Sequence, residues 1–330
     1  MKSPVFPSMQ SPMNALIRTT RGLLSLTLYA ANTLVCCTPL FVMTLLKIVI
    51  PFPAWRKVCN RTLNSIAGAW IRVNNLNQEI FSRTRLTTRG VENLDPQDWY
   101  LVLSNHQSWV DILVLQNIFH AKIPMLKFFL KKELIWVPVL GLAWWALDFP
   151  FMKRYSKNFL DKNPQLRGKD IDITRKACQK FRTIPVSVMN FVEGTRFTSQ
   201  KHSRQGSPYN NLLKTKAGGI AFVLAAMGDQ LNTILDVTIV YPGKVGSFWD
   251  YLCGNIPDIH VEVRSMPIDP SLVGNYAVDP VFRNHFQTWL NQLWAEKDER
   301  MTAMLAASAG STHFHPEFVD HLQAPPCSTR

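Results

Sequence analysis

The chain has 330 residues, 47% of them hydrophobic, and a formal net charge of +13. That is long enough for one large domain with appendages and too apolar for a chain disordered throughout. The charge is segregated: residues 1–90 carry eleven Lys and Arg against Glu79 alone, residues 121–216 carry nineteen bases against six acids, and the C-terminal third is acidic. Basic blocks of this kind face something anionic, and charge alone leaves a phospholipid leaflet, a phosphorylated substrate and nucleic acid open. The cysteines, Cys36, Cys37, Cys59, Cys178, Cys253 and Cys327, contain no C-x-x-C pair and no zinc-like spacing. They fit a reducing compartment and supply no metal site.

Residues 23–50 contain a single charge, Lys47, and at ~1.5 Å per residue they are long enough to cross a hydrocarbon core of ~30 Å. No A-x-A cleavage site follows, so the segment reads as a retained anchor. Lys47, Arg56, Lys57, Arg61 and Arg72 come at its end and after it without an intervening acid, a bias that places the body in the cytoplasm. Pro39 in mid-run also permits a bent or half-inserted helix. Trp55, Val58, Ile66, Trp70 and Val73 then recur at helical spacing among basic residues and asparagines. This pattern suits an amphipathic helix at the lipid interface, the alternative being a core helix of the soluble body.

Residues 99–103 form an expected buried strand after Asp95-Pro96, and 109–119 an expected helix with Ser108 as N-cap and Asp111 at N3. A second apolar region, 135–151, contains Trp136, Trp144 and Trp145 but is broken by Pro138 and Asp148, so it reads as core or as an interfacial dip. A polar-faced helix over 170–182 precedes a buried strand over 186–192. A helix over 217–227, strands over 235–241 and 259–263, and a last helix near 280–301 follow. Strands alternating with helices predict an α/β fold with a mixed, largely parallel sheet and flanking helices, behind an N-terminal membrane-associated segment. The expected division is 1–80 for anchor and amphipathic helix, 81–303 for the catalytic domain, and 304–330 for a flexible tail, whose small polar residues from Ala306 show no periodicity.

The chemistry gathers at two strand ends. In Asn105-His106-Gln107-Ser108-Trp109-Val110-Asp111, Ser108 and Asp111 match a capping box, in which Asp111 reaches back to the N-cap backbone. The same spacing lets Asp111 accept from one imidazole nitrogen of His106 and leave the other as a base. No G-x-S-x-G elbow exists in the chain, so the nucleophile of such a pair is a substrate hydroxyl. Glu193-Gly194-Thr195-Arg196 is the second loop: Gly194 permits close backbone approach, Thr195 donates and Arg196 clamps a phosphate. An ordinary turn with an exposed arginine is the simpler alternative. Phe151-Met152-Lys153-Arg154 ends an apolar run in two bases, and Lys216 enters a helix whose N-terminus favours anions.

On these residues the sequence resembles the glycerophospholipid acyltransferases, of the 1-acylglycerol-3-phosphate type. It is most similar to a branch containing an enterobacterial inner-membrane acyltransferase and the lysocardiolipin acyltransferases. Asn105, His106 and Asp111 match Asn-His-x-x-x-x-Asp; residues 190–198 match the Glu-Gly-Thr-Arg signature with its flanks, and the likeness covers roughly residues 20–300. The resemblance implies His106 as general base and Asp111 as its orienting partner. It implies that Arg154, Glu193, Gly194, Thr195 and Arg196 contact the acceptor's glycerol phosphate; Asn105 and Lys216 are further candidate substrate-binding residues. It also implies an acyl-CoA or acyl-carrier-protein co-substrate, no cofactor or metal, and a lysophospholipid acceptor acylated at sn-2; the basic faces are expected to meet anionic membrane lipid, and no nucleic acid is expected. The expected location is the bacterial inner membrane, with the catalytic domain facing the cytoplasm. The alternatives are a lysophospholipase or thioesterase that activates water with the same base, and a membrane-bound nucleic-acid-binding protein, which lacks any helix-turn-helix, zinc-finger or RNP-like pattern.

Overall fold

The computed structural model describes residues 12–152, 185–243 and 245–311. Arg154 and the helix expected over 170–182 lie outside them. Two long helices come first, α1 (Pro12–Val49) and α2 (Pro53–Phe81), turned back on each other at Pro51 and Pro53. Proline has no N–H to continue α1 and its fixed φ starts α2, so the pair ends and begins one turn apart. Their seam is polar over one part and apolar over another, where Cys37 and Leu40 cluster with Leu63 and Ala67. Asn32 donates to Asn74 Oδ1 at 2.8 Å and Ser25 to Asn77 Oδ1 at 3.1 Å, while Leu23, Leu24, Leu34, Val35, Leu45 and Val49 of α1 point outward. Large apolar side chains thus line the outer face of α1 while polar pairs occupy part of the seam. The stripe expected on α2 is split: Val58 and Val73 face out, Trp55, Ile66 and Trp70 are half-buried, and Cys59, Leu63, Ala67 and Ile71 make the buried face. That face combines small Cys59 and Ala67 with large Leu63 and Ile71.

The body is a six-stranded sheet of order β1-β8-β7-β2-β6-β3, where β1 is Arg85–Arg89, β2 Tyr100–Ser104, β3 Leu126–Phe128, β6 Ser187–Phe191, β7 Thr233–Val240 and β8 Asp258–Pro267. Strands β7, β2, β6 and β3 run parallel, and β8 is antiparallel to β7, which makes the sheet mixed and largely parallel. Strand β1, Arg-Leu-Thr-Thr-Arg, has too little apolar character to announce itself; it is an exposed edge strand paired parallel to β8. A two-stranded ribbon, β4 (Leu130–Lys131) and β5 (Phe151–Met152), brackets α4 (Leu140–Ala146).

Helices cover both faces. On one, α6 (Ala217–Met227) and α8 (Pro280–Ser311) bury Ile220, Leu224, Phe286, Leu290 and Trp294 against Leu101, Leu103, Val188 and Ile234. On the other, α3 (Val110–Phe119) and α7 (Phe248–Leu252) pack on Val102, Met189, Leu235, Val237 and Ile239. Short α5 (Ser199–Gln205) stands at the sheet's end. Helix α8 runs on to Ser311, into the stretch read as a polar tail, because Met301 is still buried and Met304 and Leu305 pack on the core. The carboxyl ends of β2, β6 and β7 coincide, which is where open α/β sheets place their ligands.

Candidate active site

Strand β2 is buried on both faces and lies between β7 and β6. Past its last residue the chain is pinned by Asn105, whose Nδ2 donates to Ile239 O at 2.9 Å and whose Oδ1 accepts from Ile239 N at 2.9 Å. The amide thus copies a backbone rung on β7. Asn105 is fully buried, which corrects its expected place in the acceptor site: it shapes the loop.

His106 follows, its ring stacked on Phe191 at 3.8 Å and 10°. Its Nδ1 lies 2.8 Å from Asp111 Oδ2. The same carboxylate oxygen accepts the N–H groups of Gln107 at 2.6 Å and Ser108 at 2.9 Å, and Oδ1 accepts from the Tyr241 hydroxyl at 2.5 Å. One carboxylate thus makes both the contact to His106 and the backward bond to the Ser108 N–H, while the residue at the cap position of the helix makes no side-chain cap bond. Helix α3 begins at Val110, one residue later than expected, with Trp109 at the cap position, and Asp111 in its first turn ties back the preceding loop. Asp111 is wholly buried and the His106 side chain 12% exposed, so one edge of the imidazole meets solvent while the other meets a desolvated anion. Tyr241 is the partner that sequence reading missed. Burial, and then the neighbouring Asp111, hold its phenol well above its ordinary pKa, so it stays a donor.

The second signature loop is stitched to the first. Glu193 Oε1 accepts from His106 N at 3.1 Å, Oε2 accepts from Leu213 N at 3.0 Å, and Phe197 N donates to His106 O at 2.7 Å. Glu193 is 1% exposed, a correction to its expected contact with the acceptor: it is a buried brace between three segments. Burial pushes its carboxyl up to about 8, against the pull of both N–H donors. Gly194 has φ +66, and a Cβ there would stand 3.0 Å from Lys216 Cδ and 3.3 Å from its Nζ. Glycine thus serves the left-handed turn and admits the lysine.

Thr195 and Arg196 are held from behind by Lys201, whose Nζ donates to Thr195 Oγ1 and Arg196 O, each at 2.8 Å. Exposed Arg196 stacks its guanidinium over the Trp109 ring at 4.8 Å. The structure thus brings His106, Asp111, Gly194, Thr195, Arg196 and Lys216 to one end of the sheet. Phe128, 6.2 Å from Phe191 and 6.5 Å from Phe149, continues the aromatic contacts from His106 toward α1 and α4. Beside this file a cleft lined by Asn60, Asn64, Lys127 and Asp148 separates α2 from the body. Burial lowers the Lys127 ammonium to about 8.

This arrangement can perform base chemistry on a hydroxyl, with the cationic side chains of Arg196 and Lys216 at the same end of the sheet. The acyltransferase family model matches residues 85–242, which run from β1 through Tyr241 and contain every signature residue above. Residues 85–242 therefore form an acyltransferase-family domain. Among similar proteins, a probable 1-acyl-sn-glycerol-3-phosphate acyltransferase 5 of Arabidopsis thaliana is 24% identical, over 70% of this chain and 60% of its own length. The 1-acyl-sn-glycerol-3-phosphate acyltransferase alpha of Homo sapiens is 31% identical over 34% of this chain and 35% of its own. The 2-acyl-1-lysophosphatidylinositol acyltransferase of Saccharomyces cerevisiae is 23% identical over 66% and 64%. The chain thus spans less than two thirds of each of these relatives. A solved structure, the 1-acyl-sn-glycerophosphate acyltransferase of Thermotoga maritima, superposes with a TM-score of 0.46 at 15% identity, over 84% of this chain and 98% of that one.

Proposed function

We propose that the protein transfers a fatty acyl group from a thioester, acyl-CoA or acyl-carrier protein, to the free hydroxyl of a lysophospholipid, a 1-acylglycerol 3-phosphate or a close relative. The observation that carries this reading is the His106–Asp111–Tyr241 relay at the open end of the sheet. Asp111 fixes the proton on Nδ1, which leaves Nε2 to take the hydroxyl proton. The hydroxyl oxygen attacks the thioester carbonyl, and the tetrahedral intermediate collapses with cleavage of the C–S bond. The thiolate recovers the proton from the imidazolium. Charge on that imidazolium is stabilised by the buried Asp111 carboxylate.

The intermediate's oxyanion needs donors. The Gln107 and Ser108 N–H groups, candidates by position, are already committed to Asp111 at 2.6 and 2.9 Å, and Gly194 N donates to Phe191 O at 2.8 Å. We therefore assign this role to the backbone of the Thr195–Arg196 turn. Arg196 and Lys216 receive the acceptor's phosphate, with Arg154 as a further cation from outside the described residues. Glu193 and Asn105 keep the two loops in register without touching substrate.

Helix α1 is the one described helix long and apolar enough to cross a membrane. Its contacts favour a different placement. Arg21 donates to Cys253 O and Tyr29 packs edge-on against Phe248 at one end, while Lys47 pairs with Asp148 at 2.8 Å at the other. The body thus flanks roughly 40 Å of α1 at ~1.5 Å per residue. A perpendicular span would draw that body into hydrocarbon, where its exposed polar backbone has no partners. We read the α1–α2 hairpin as lying in one leaflet, its outward leucines and valines in the acyl region, with the body on the cytoplasmic side of a bacterial inner membrane.

The test uses membranes containing wild type or His106→Ala, labelled acyl-CoA and a panel of lysophospholipids, with products separated by thin-layer chromatography. Diacyl product that depends on His106 is the expected result and names the acceptor. Free fatty acid in place of diacyl lipid overturns the transferase reading in favour of hydrolysis.

A further inference from the structure

The segment between β4 and β5 carries three large apolar side chains that the protein leaves uncovered. Trp136, Leu142 and Trp145 are 84%, 55% and 45% exposed, whereas side chains of this size are ordinarily covered unless a surface is meant to meet something. On α4, positions 142 and 145 lie about one turn apart on one face. On the adjoining face, Ala143 and Ala146 are buried in one cluster with Cys37 and Leu40 of α1. The uncovered face therefore runs beside the half of α1 whose own outward residues are Val42, Leu45, Leu46 and Val49. The segment is also held firmly: Lys47 bridges to Asp148 at 2.8 Å, and Gly141 packs against the Ile135 carbonyl so closely that no Cβ fits. Exposed Lys131 and Lys132 precede Trp136, with Glu133 the one acid among them.

The geometry points to a second lipid contact, in which Trp136, Leu142 and Trp145 sit in the headgroup layer of the leaflet that receives α1 and Lys131 and Lys132 meet anionic headgroups. Tryptophan favours that layer because its indole is apolar in body and polar at one edge. Lysines beside it add attraction to anionic lipid. Continuity with the outward face of α1 selects a bilayer as the occupant over a second copy of the chain. One helix hairpin on a membrane can roll about its axis; a second contact beside it removes that freedom. The contact is joined to the site through β3, whose Phe128 lies 6.2 Å from Phe191, the residue stacked on His106. Fixing the roll therefore fixes how the mouth of the site addresses acceptors lying in the membrane.

This inference rests on the leaflet placement of α1, and the experiment separates the two. The full chain, its Trp136→Glu/Trp145→Glu variant and its Trp136→Phe/Trp145→Phe variant are sedimented with phosphatidylethanolamine–phosphatidylglycerol vesicles. Each is then assayed with 1-acylglycerol 3-phosphate in the same vesicles and in detergent micelles. The glutamate pair is expected to weaken partition and vesicle activity on the order of tenfold with micellar turnover unchanged, and the phenylalanine pair to retain most of both. Glutamate variants that bind and turn over on vesicles like wild type overturn the second contact and leave the α1 placement standing. Wild type that fails to bind vesicles overturns both. A lipid-free dimer that the glutamates dissolve, with vesicle binding intact, assigns the face to a second copy and also overturns the inference.

Discussion

Two carboxylates lie at zero exposure against the same strand and are treated in opposite ways. Asp111 is surrounded by neutral donors, two backbone N–H groups and the Tyr241 hydroxyl, plus the imidazole of His106. Asp236, in the middle of β7, is met by two basic side chains from α8, Lys297 at 2.5 Å and Arg300 at 2.9 Å. Lys297 also donates to Val237 O at 2.6 Å, and Arg300 lies 3.7 Å from Glu262. Neutral donors stabilise the Asp111 charge without cancelling it, so the site keeps a negative centre beside the His106 imidazole. Cations cancel the charge of Asp236, and that cluster locks the C-terminal helix onto the sheet. Burial of a carboxylate therefore says little about its purpose; the charge left over on its partners says more.

The largest effects separate the two carboxylates. His106→Ala is expected to lower turnover by roughly 10²–10⁴-fold while leaving thermal unfolding near wild type. Asp111→Asn should also fall at least 10²-fold, because its amide cannot stabilise the imidazolium as a carboxylate does. A stable, fully active Asp111→Asn would return this residue to capping alone. Asp236→Ala should behave in the opposite sense: it strands Lys297 and Arg300 and costs about 3–5 kcal/mol of stability, while turnover per folded molecule at low temperature is retained. Replacing Asp236, Lys297 and Arg300 together by leucine and methionines should recover most of that loss in denaturant titrations, since no uncompensated charge then remains.

Tyr241→Phe sharpens the contrast from within the catalytic group. It removes one charge-assisted donor from Asp111, worth about 1.5–3 kcal/mol, so a loss of turnover between about 10-fold and 100-fold is expected with little change in acceptor KM. Glu193 gives a pH signature instead. Its carboxyl is raised from 4.5 to about 8 in the fold, so between those values the folded state holds a proton that the unfolded chain has released. By linkage, this group's contribution to stability falls as pH rises from about 4.5 to about 8, and is constant outside that window. Glu193→Gln lacks the titration. Its unfolding midpoint is expected to approach or pass that of wild type as pH is raised, and parallel profiles across the window would show that Glu193 does not titrate there.

Most of the sheet was legible because β2, β6 and β7 are short apolar runs ending in polar loops, and α6 falls at the bounds its composition implied. The His106 and Glu193 loops were legible as motifs, since their residues are close in sequence. What escaped depends on contacts between distant segments. Strand β1 is polar at both ends and becomes a strand only by pairing with β8. Tyr241 meets Asp111 across 130 residues, and Asn105 reads as a ligand until Ile239 is seen to consume its amide. Asp236 did carry a signal: a lone carboxylate inside Thr-Ile-Leu-Asp-Val-Thr-Ile-Val demands a cation from elsewhere, but nothing local says that α8 supplies it. On α2 the tryptophans and valines suggested one face, whereas Cys59, Leu63, Ala67 and Ile71 are the residues that became buried.

The smallest expected effect concerns Trp109, exposed beside the catalytic loop with the Arg196 guanidinium stacked on it at 4.8 Å. A cation over an exposed indole is worth about 0.5–1 kcal/mol, enough to bias the rotamers of a long side chain whose charge must meet a phosphate. Trp109→Ala should therefore raise KM for a phosphorylated acceptor by roughly two- to fivefold, in proportion to that energy, and leave kcat near wild type because His106 and Asp111 are untouched. Trp109→Phe, which keeps an aromatic face, should restore part of the loss. A monoacylglycerol acceptor, which has no phosphate for Arg196 to hold, should show no KM change in either variant. If KM rises equally for both acceptors, Trp109 acts through the shape of the loop, and the stacking on Arg196 is incidental to recognition.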